Sequence, residues 1–164
     1  MHPNNNRFMK VLMVCLGNIC RSPMADGWLR HKVKQHGLSV EVDSAGTANY
    51  HVGEKPDHRM RRISLEYGVS IDELRARQFT AADFDHYDII FAMDQSNEQN
   101  ILRLARNESD RQKVKLFLNE LYPGENREVP DPYYGTENHF KEVIELLDQA
   151  TDAFLINHQL IAKK

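Results

Sequence analysis

An α/β fold, a parallel sheet with helices on both faces, is predicted by three features of this 164-residue chain. Short apolar runs alternate with helical patterns along the sequence. The first run, over 10–15, is continuous, as in a strand buried on both sides. The final stretch, 137–158, places Phe140, Val143, Ile144, Leu147, Thr151 and Phe154 on one helical stripe.

In order, the strand over 10–15 leads to Ser22, read as a helix N-cap, with Pro23 at the first helical position. Met24, Trp28, Leu29 and Val33 recur at helical spacing, and Gly37 supplies a stop. Residues 38–42 alternate as a second strand. A helix over 57–67, closed by Gly68, gathers Met60, Ile63 and Tyr67; its Arg59, Arg61 and Arg62 read as a solvated face that could steer acidic substrates. A third buried strand spans 87–93, a helix 94–105, and a weaker strand 114–118. Residues 119–135 have no period and hold Pro123, Pro130 and Pro132. A connection of that length is usually functional or disordered, and its aromatic, acidic end, Asp131-Pro132-Tyr133-Tyr134-Gly135, points to function.

Composition narrows the function. Hydrophobic residues at 41% and charged residues at 27% suit a globular protein that builds its own core. Lys and Arg total 21 against 24 Asp and Glu, so no net positive field recruits nucleic acid or an anionic membrane. The longest apolar run, 11–16, is far too short to span a bilayer, and no charged-then-apolar leader precedes it. These features predict a cytoplasmic protein with a frayed polar terminus over 1–7 and a single domain over 8–160. Two cysteines, Cys15 and Cys20, are too few for a disulfide framework or an all-cysteine zinc site. The eight histidines form no metal-binding pattern.

The chemistry concentrates where the first strand meets the first helix, Cys15-Leu16-Gly17-Asn18-Ile19-Cys20-Arg21-Ser22-Pro23. In a parallel sheet that turn lies at the carboxyl edge, where such folds bind ligands. Successive loop amides and a helix N-terminus can cradle an oxyanion. Gly17 permits a tight cradle, and Arg21 supplies a planar fork for two oxygens. In that field Cys15 is expected as a thiolate at neutral pH, with the Ser22 hydroxyl able to donate to the sulfur. An anion held against a sulfur nucleophile predicts phosphoryl transfer through a cysteinyl-phosphate. The nucleotide-binding alternatives lose support, because neither Gly-x4-Gly-Lys nor Gly-x-Gly-x-x-Gly occurs here. Asp131, restricted by the flanking prolines, is the candidate general acid for the leaving oxygen and the base for the water that follows. The scheme needs no metal and no cofactor.

At these residues the sequence resembles the low-molecular-weight protein tyrosine phosphatases. The likeness rests on Cys15-x5-Arg21-Ser22-Pro23 and Asp131-Pro132-Tyr133-Tyr134, with family-like segments over 43–47, 76–78 and 92–97. The resemblance implies a three-layer fold with a four-stranded parallel sheet in the order 2-1-3-4. It implies Cys15 as nucleophile, Arg21 as phosphoryl-binding residue and Asp131 as acid. The phosphate cradle would run through Leu16, Gly17, Asn18, Ile19, Cys20, Arg21 and Ser22. Asn18, Ser22 and Ser44 would support the loop, and Leu16, Tyr50, Tyr133 and Tyr134 would line the substrate slot. Partners would be tyrosine-phosphorylated proteins, with inorganic phosphate as product and inhibitor.

Two enzymatic alternatives share the fold. Relatives acting on phosphoarginine carry Thr where this chain has Ile19, which favours phosphotyrosine. Thiol-dependent arsenate reductases need a further cysteine pair, and none follows Cys20. The chain departs from the family pattern at Tyr50 (often Trp), Leu74 (usually His, a partner of Asn18) and His58 (commonly Pro). Cys20 reads equally as a small packing residue or as a redox partner that traps oxidised Cys15.

Overall fold

The computed structural model describes residues 8–162, so the frayed terminus expected over 1–7 lies outside the described residues. Strands β1 (Met9–Cys15), β2 (Val40–Gly46), β3 (Ile89–Ala92) and β4 (Val114–Leu116) form one parallel sheet in the order β2-β1-β3-β4. The helices are α1 (Arg21–His36), α2 (His58–Glu66), α3 (Asp83–His86), α4 (Gln95–Leu102), α5 (Glu108–Lys113) and α6 (Glu137–Asn157).

The period of two along β1 sorts its side chains into two cores. Val11 and Met13 pack with Met24, Trp28 and Leu29 of α1, Met60 and Ile63 of α2, and the stripe of α6. Leu12 and Val14 pack on the opposite face with Phe84 of α3 and Ile101 of α4. The expected three layers follow directly. Each predicted residue of the α6 stripe is buried, with Ala150 and Leu155 beside it.

Several boundaries move. Helix α1 begins at Arg21, so Ser22 lies inside it and does not cap it. The second strand runs on to Gly46, beyond the predicted 42, because it pairs with β1 as far as Cys15. Phe117 and Leu118, expected in β4, turn instead into a short 3-10 helix, Phe117–Glu120. Helices α3 and α5, of four and six residues, were not predicted, being too short to show a helical period.

Two side-chain clusters lock α1 in place. Lys32, almost buried, reaches Asp148 Oδ1 at 2.7 Å, Asp152 Oδ1 at 2.9 Å and Thr151 Oγ1 at 2.7 Å, tying α1 to α6. Asp26, wholly buried, accepts from Arg30 Nε at 3.1 Å and Nη2 at 2.9 Å, and Arg30 Nη2 also donates to Val42 O on β2 at 2.8 Å. Burial outweighs the pull of Arg30 and pushes the Asp26 carboxyl up from 3.8 to about 6. Between those values the folded state binds more protons than the unfolded chain, so stability falls as pH rises through the window. Asp26→Asn cannot ionise and lacks that fall. Urea midpoints are therefore expected to shift in favour of the variant, relative to wild type, between about pH 4 and about pH 7. A difference independent of pH would show that Asp26 ionises as in the unfolded chain.

Candidate active site

The carboxyl ends of β1 and β3 are adjacent, with Val14 opposite Ala92, so the segments leaving them converge on one edge of the sheet. The loop of residues 16–20 leaves β1 there and runs directly into α1. Its shape is set by where its carbonyls go. Cys15 O accepts from Thr47 N at 2.9 Å, Leu16 O from Ala48 N at 3.0 Å, and Ile19 O from Asp57 N at 2.7 Å. A trans peptide points its N–H opposite its C=O. Pinning these carbonyls outward therefore turns the amides of Leu16, Gly17 and Cys20 inward. None of the three finds an acceptor among the described residues. The chain after β2 can come this close because Gly46 has no side chain; a Cβ there would lie 2.7 Å from Leu16 O.

One residue of the loop is left-handed, and it is Asn18, with φ of 58°. Gly17, expected to provide that freedom, instead leaves room for His51; a Cβ at Gly17 would lie 3.1 Å from His51 Cδ2. The Asn18 amide is held at both ends. Its Oδ1 accepts from Arg77 N at 3.0 Å, which makes Nδ2 the donor to Ser22 Oγ at 2.8 Å. Ser22 Oγ is then an acceptor on that side, and its own proton can turn to Cys15 Sγ, 3.0 Å away. The weaker alternative is Ala45 O at 3.4 Å. The sulfur also accepts from Asn18 N at 3.3 Å. Cys15, 3% exposed, thus has two donors in reach, Asn18 in the loop and Ser22 in the first turn of α1.

Arg21, at the start of α1, is buried and donates through Nη1 to Asp94 Oδ2 at 2.7 Å and Val129 O at 3.1 Å. Burial alone pushes its guanidinium down, but Cys15, Asp94 and Asp131 together push it up, so it stays charged. Asp131 Oδ2 lies 3.7 Å from Arg21 Nη2, and its Oδ1 accepts from Tyr133 N at 3.1 Å. The 119–135 connection is anchored at Val129, whose N–H donates to Met93 O at 2.8 Å at the end of β3. Sequence separation gave no reason for Asp131 to meet Cys15. The anchoring brings both onto one cavity of about 180 Å³. Leu16, Gly17, Ile19, Cys20, Arg21, Tyr50, Tyr133 and Tyr134 line it as well. Tyr134 is 95% exposed and Tyr50 71%, so these two form the rim.

Ser44 gives the loop no side-chain hydrogen bond among the described residues; Asn18 closes its network with Arg77 and Ser22 instead. Ser44 shares the parity of Val40 and Val42 along β2, which turns it toward α1, beside Asp26. Leu74 packs on the core, and the Asn18 network closes without a histidine there. Cys20 is buried, and burial first, then Asp57 and Cys15, pushes its thiol far above the usual range. Two residues escaped the sequence reading. Asp94, the N-cap of α4, orients Arg21; its signal was an acid directly after the strand beside β1. His51 forms a wall of the cavity, with Nδ1 3.0 Å from Glu54 Oε2. Only its adjacency to Tyr50 could have suggested it. No cluster of metal-ligating side chains occurs among the described residues.

Comparison with known proteins agrees with this geometry. The family model described as "Low molecular weight phosphotyrosine protein phosphatase" matches residues 10–164. The fission yeast (Schizosaccharomyces pombe) protein of that name is 43% identical over 144 residues, covering 85% of this chain and 91% of its own. The Streptomyces coelicolor low molecular weight protein-tyrosine-phosphatase is 39% identical over 150 residues, covering 89% and 91%. A crystal structure of a protein tyrosine phosphatase from Entamoeba histolytica, with Hepes in its active site, superposes with a TM-score of 0.86 at 38% identity. That superposition covers 93% of this chain and 97% of the other. By the family model over most of the chain, by relatives about 40% identical over most of both lengths and by the superposition, this chain belongs to the low-molecular-weight phosphotyrosine protein phosphatase family.

Proposed function

We infer that this protein hydrolyses phosphotyrosine in protein substrates through a cysteinyl-phosphate intermediate. One observation carries the reading: the Cys15 sulfur accepts from Ser22 and Asn18 at the foot of a cradle of inward-facing amides, with Arg21 beside it. The phosphoryl group docks on the amides of Leu16, Gly17 and Cys20, and Arg21 takes its equatorial oxygens. The thiolate attacks phosphorus; the S–P bond forms as the P–O bond to the phenol breaks. Asp131 gives its proton to the departing phenolate oxygen. The carboxylate then takes a proton from water, water attacks phosphorus, and the S–P bond breaks. Ser22 stabilises the sulfur as it regains its charge, and inorganic phosphate leaves as product, able to return as an inhibitor.

The walls favour an aryl ester. Tyr50, Tyr133 and the His51 ring offer flat surfaces for a phenyl group. Ile19, also on the cavity, gives the guanidinium of a phosphoarginine no acceptor, which supports phosphotyrosine over that alternative. Turnover requires reduced Cys15, so we place the protein in the reducing cytoplasm. No described helix is long and apolar enough to cross a membrane.

Hydrolysis of an aryl phosphate is expected to continue with a chelator present and to vanish in Cys15→Ser. Asp131→Asn is expected to lose about 10²–10⁴-fold in kcat/KM on phenyl phosphate. It should lose far less on esters whose leaving groups depart without a proton. Unchanged turnover in Asp131→Asn would remove it from the mechanism, and faster hydrolysis of phosphoarginine than of phosphotyrosine would overturn the substrate assignment.

Cys20 is proposed as a redox partner. Peroxide converts the Cys15 thiolate to a sulfenic acid; Cys20 attacks that sulfur, water leaves, and a disulfide forms that added thiol reduces. Burial pushes the Cys20 thiol up, so its attack runs through a small thiolate fraction. Activity lost to mild peroxide is expected to return with thiol in the wild type and not in Cys20→Ala. Equal recovery in the two proteins would leave Cys20 as a packing residue.

A further inference from the structure

Arg59 was read from sequence as part of a solvated helix face, yet only its neighbours Arg61 and Arg62 fit that description in part. Arg61 Nε donates to Pro56 O at 3.0 Å, and Arg62 pairs with Glu137 across the surface. Arg59 instead folds back toward the cavity without lining it. Its guanidinium lies 4.6 Å from the centre of the Phe140 ring and 5.8 Å from that of Tyr133. Nη2 donates to Tyr133 O at 2.7 Å and to Asp57 Oδ2 at 3.2 Å, while Nε donates to Asp57 Oδ1 at 3.3 Å.

Both partners lead to the reacting groups. Asp57 caps α2 through Arg59 N at 2.9 Å, and its own N–H holds Ile19 O, one of the carbonyls that shape the phosphate cradle. Tyr133 N fixes the Asp131 carboxylate at 3.1 Å. Arg59 therefore spans from the cradle, through Asp57, to the residue that orients Asp131.

We propose that Arg59 is a positioning residue for general-acid catalysis, holding the Asp131 segment in register with the phosphate cradle through the Asp57–Arg59–Tyr133 bridge. The proposal rests on Asp131 being the acid. A planar fork suits the task, because it meets a carboxylate and a carbonyl at once while its face packs on Phe140. Asp131 itself is half exposed, on a segment with no regular structure, and few other contacts fix its aim. A misplacement of about 1 Å at such a group is enough to lose about 10²-fold in rate.

The test is kcat/KM across aryl phosphates of graded leaving-group basicity, since that ratio reports only steps up to departure of the phenol. Arg59→Met is expected to lose about 10–10²-fold on phenyl phosphate. The loss should shrink steadily as the leaving group becomes more acidic. In an Asp131→Asn background Arg59→Met should add no further loss, because both changes act through one proton transfer. Inhibition by inorganic phosphate, which reads the cradle alone, should stay within about twofold of wild type. If Arg59→Met does not fold, Arg59→Lys serves: it keeps a cation but cannot bridge both partners, and it carries the same expectation. A loss equal for all leaving groups, or one that adds to that of Asp131→Asn, would overturn the proposal. An Asp131→Asn protein that is itself flat across leaving groups would instead remove the acid assignment on which it rests.

Discussion

Every functional feature of this molecule depends on the loop after β1 keeping the amide hydrogens of Leu16, Gly17 and Cys20 turned inward. Left to itself a short segment of polar backbone would fill its own hydrogen bonds or take them from water. Here the choice is made from outside: Thr47, Ala48 and Asp57 claim the carbonyls, so the amides have nowhere to go except toward a ligand. The unsatisfied donors form an anion site whose complement is a tetrahedral oxyanion, and Cys15 sits at its foot as the fixed end of β1.

The fold supplies those outside partners by placing β1 in the interior of the sheet. The chain that follows β2 passes over one side of the loop, and Gly46 makes the approach close enough for hydrogen bonds. The strand on the other side, β3, is followed directly by Met93, to which Val129 is tied, so the segment that carries Asp131 returns to the same edge. Neither strand, β2 nor β3, itself lines the cavity. Their service is geometric, and it explains why the chemistry lies at the edge where the parallel strands end.

Much of this was legible in the sequence, for identifiable reasons. Strands and long helices announce themselves by period, so β1, α1 and α6 were readable, while α3 and α5 are shorter than the repeat that would reveal them. The Cys15–Ser22 segment was readable because a nucleophile, a flexible backbone and a cation fall on contiguous positions. Asp131 could be singled out as a constrained carboxylate, but its meeting with Cys15 is tertiary, as are the bridges from Asp94 and Arg59. Ser22 and Ser44 show the limit from the other direction. Ser22 meets the sulfur as expected, but α1 already begins at Arg21, so it does not cap the helix. The loop-supporting role that the resemblance implies for Ser44 gives way to its parity on β2, which turns it toward α1.

Arg21 shows how two carboxylates can sit beside one guanidinium and do opposite work. Asp94 bonds Nη1 at 2.7 Å, and Val129 O shares that nitrogen, so one corner of the fork is used up in orientation. Asp131 approaches Nη2 only to 3.7 Å, beyond a hydrogen bond. The far edge of the guanidinium therefore remains open to the oxygens of a phosphoryl group, and Asp131, on the wall of the same cavity, does not block it. Had the two distances been reversed, Asp131 would be tied up in a strong ion pair that competes with substrate for the same nitrogen. Difference in reach, not in residue type, separates the carboxylate that orients Arg21 from the one left free on the cavity wall.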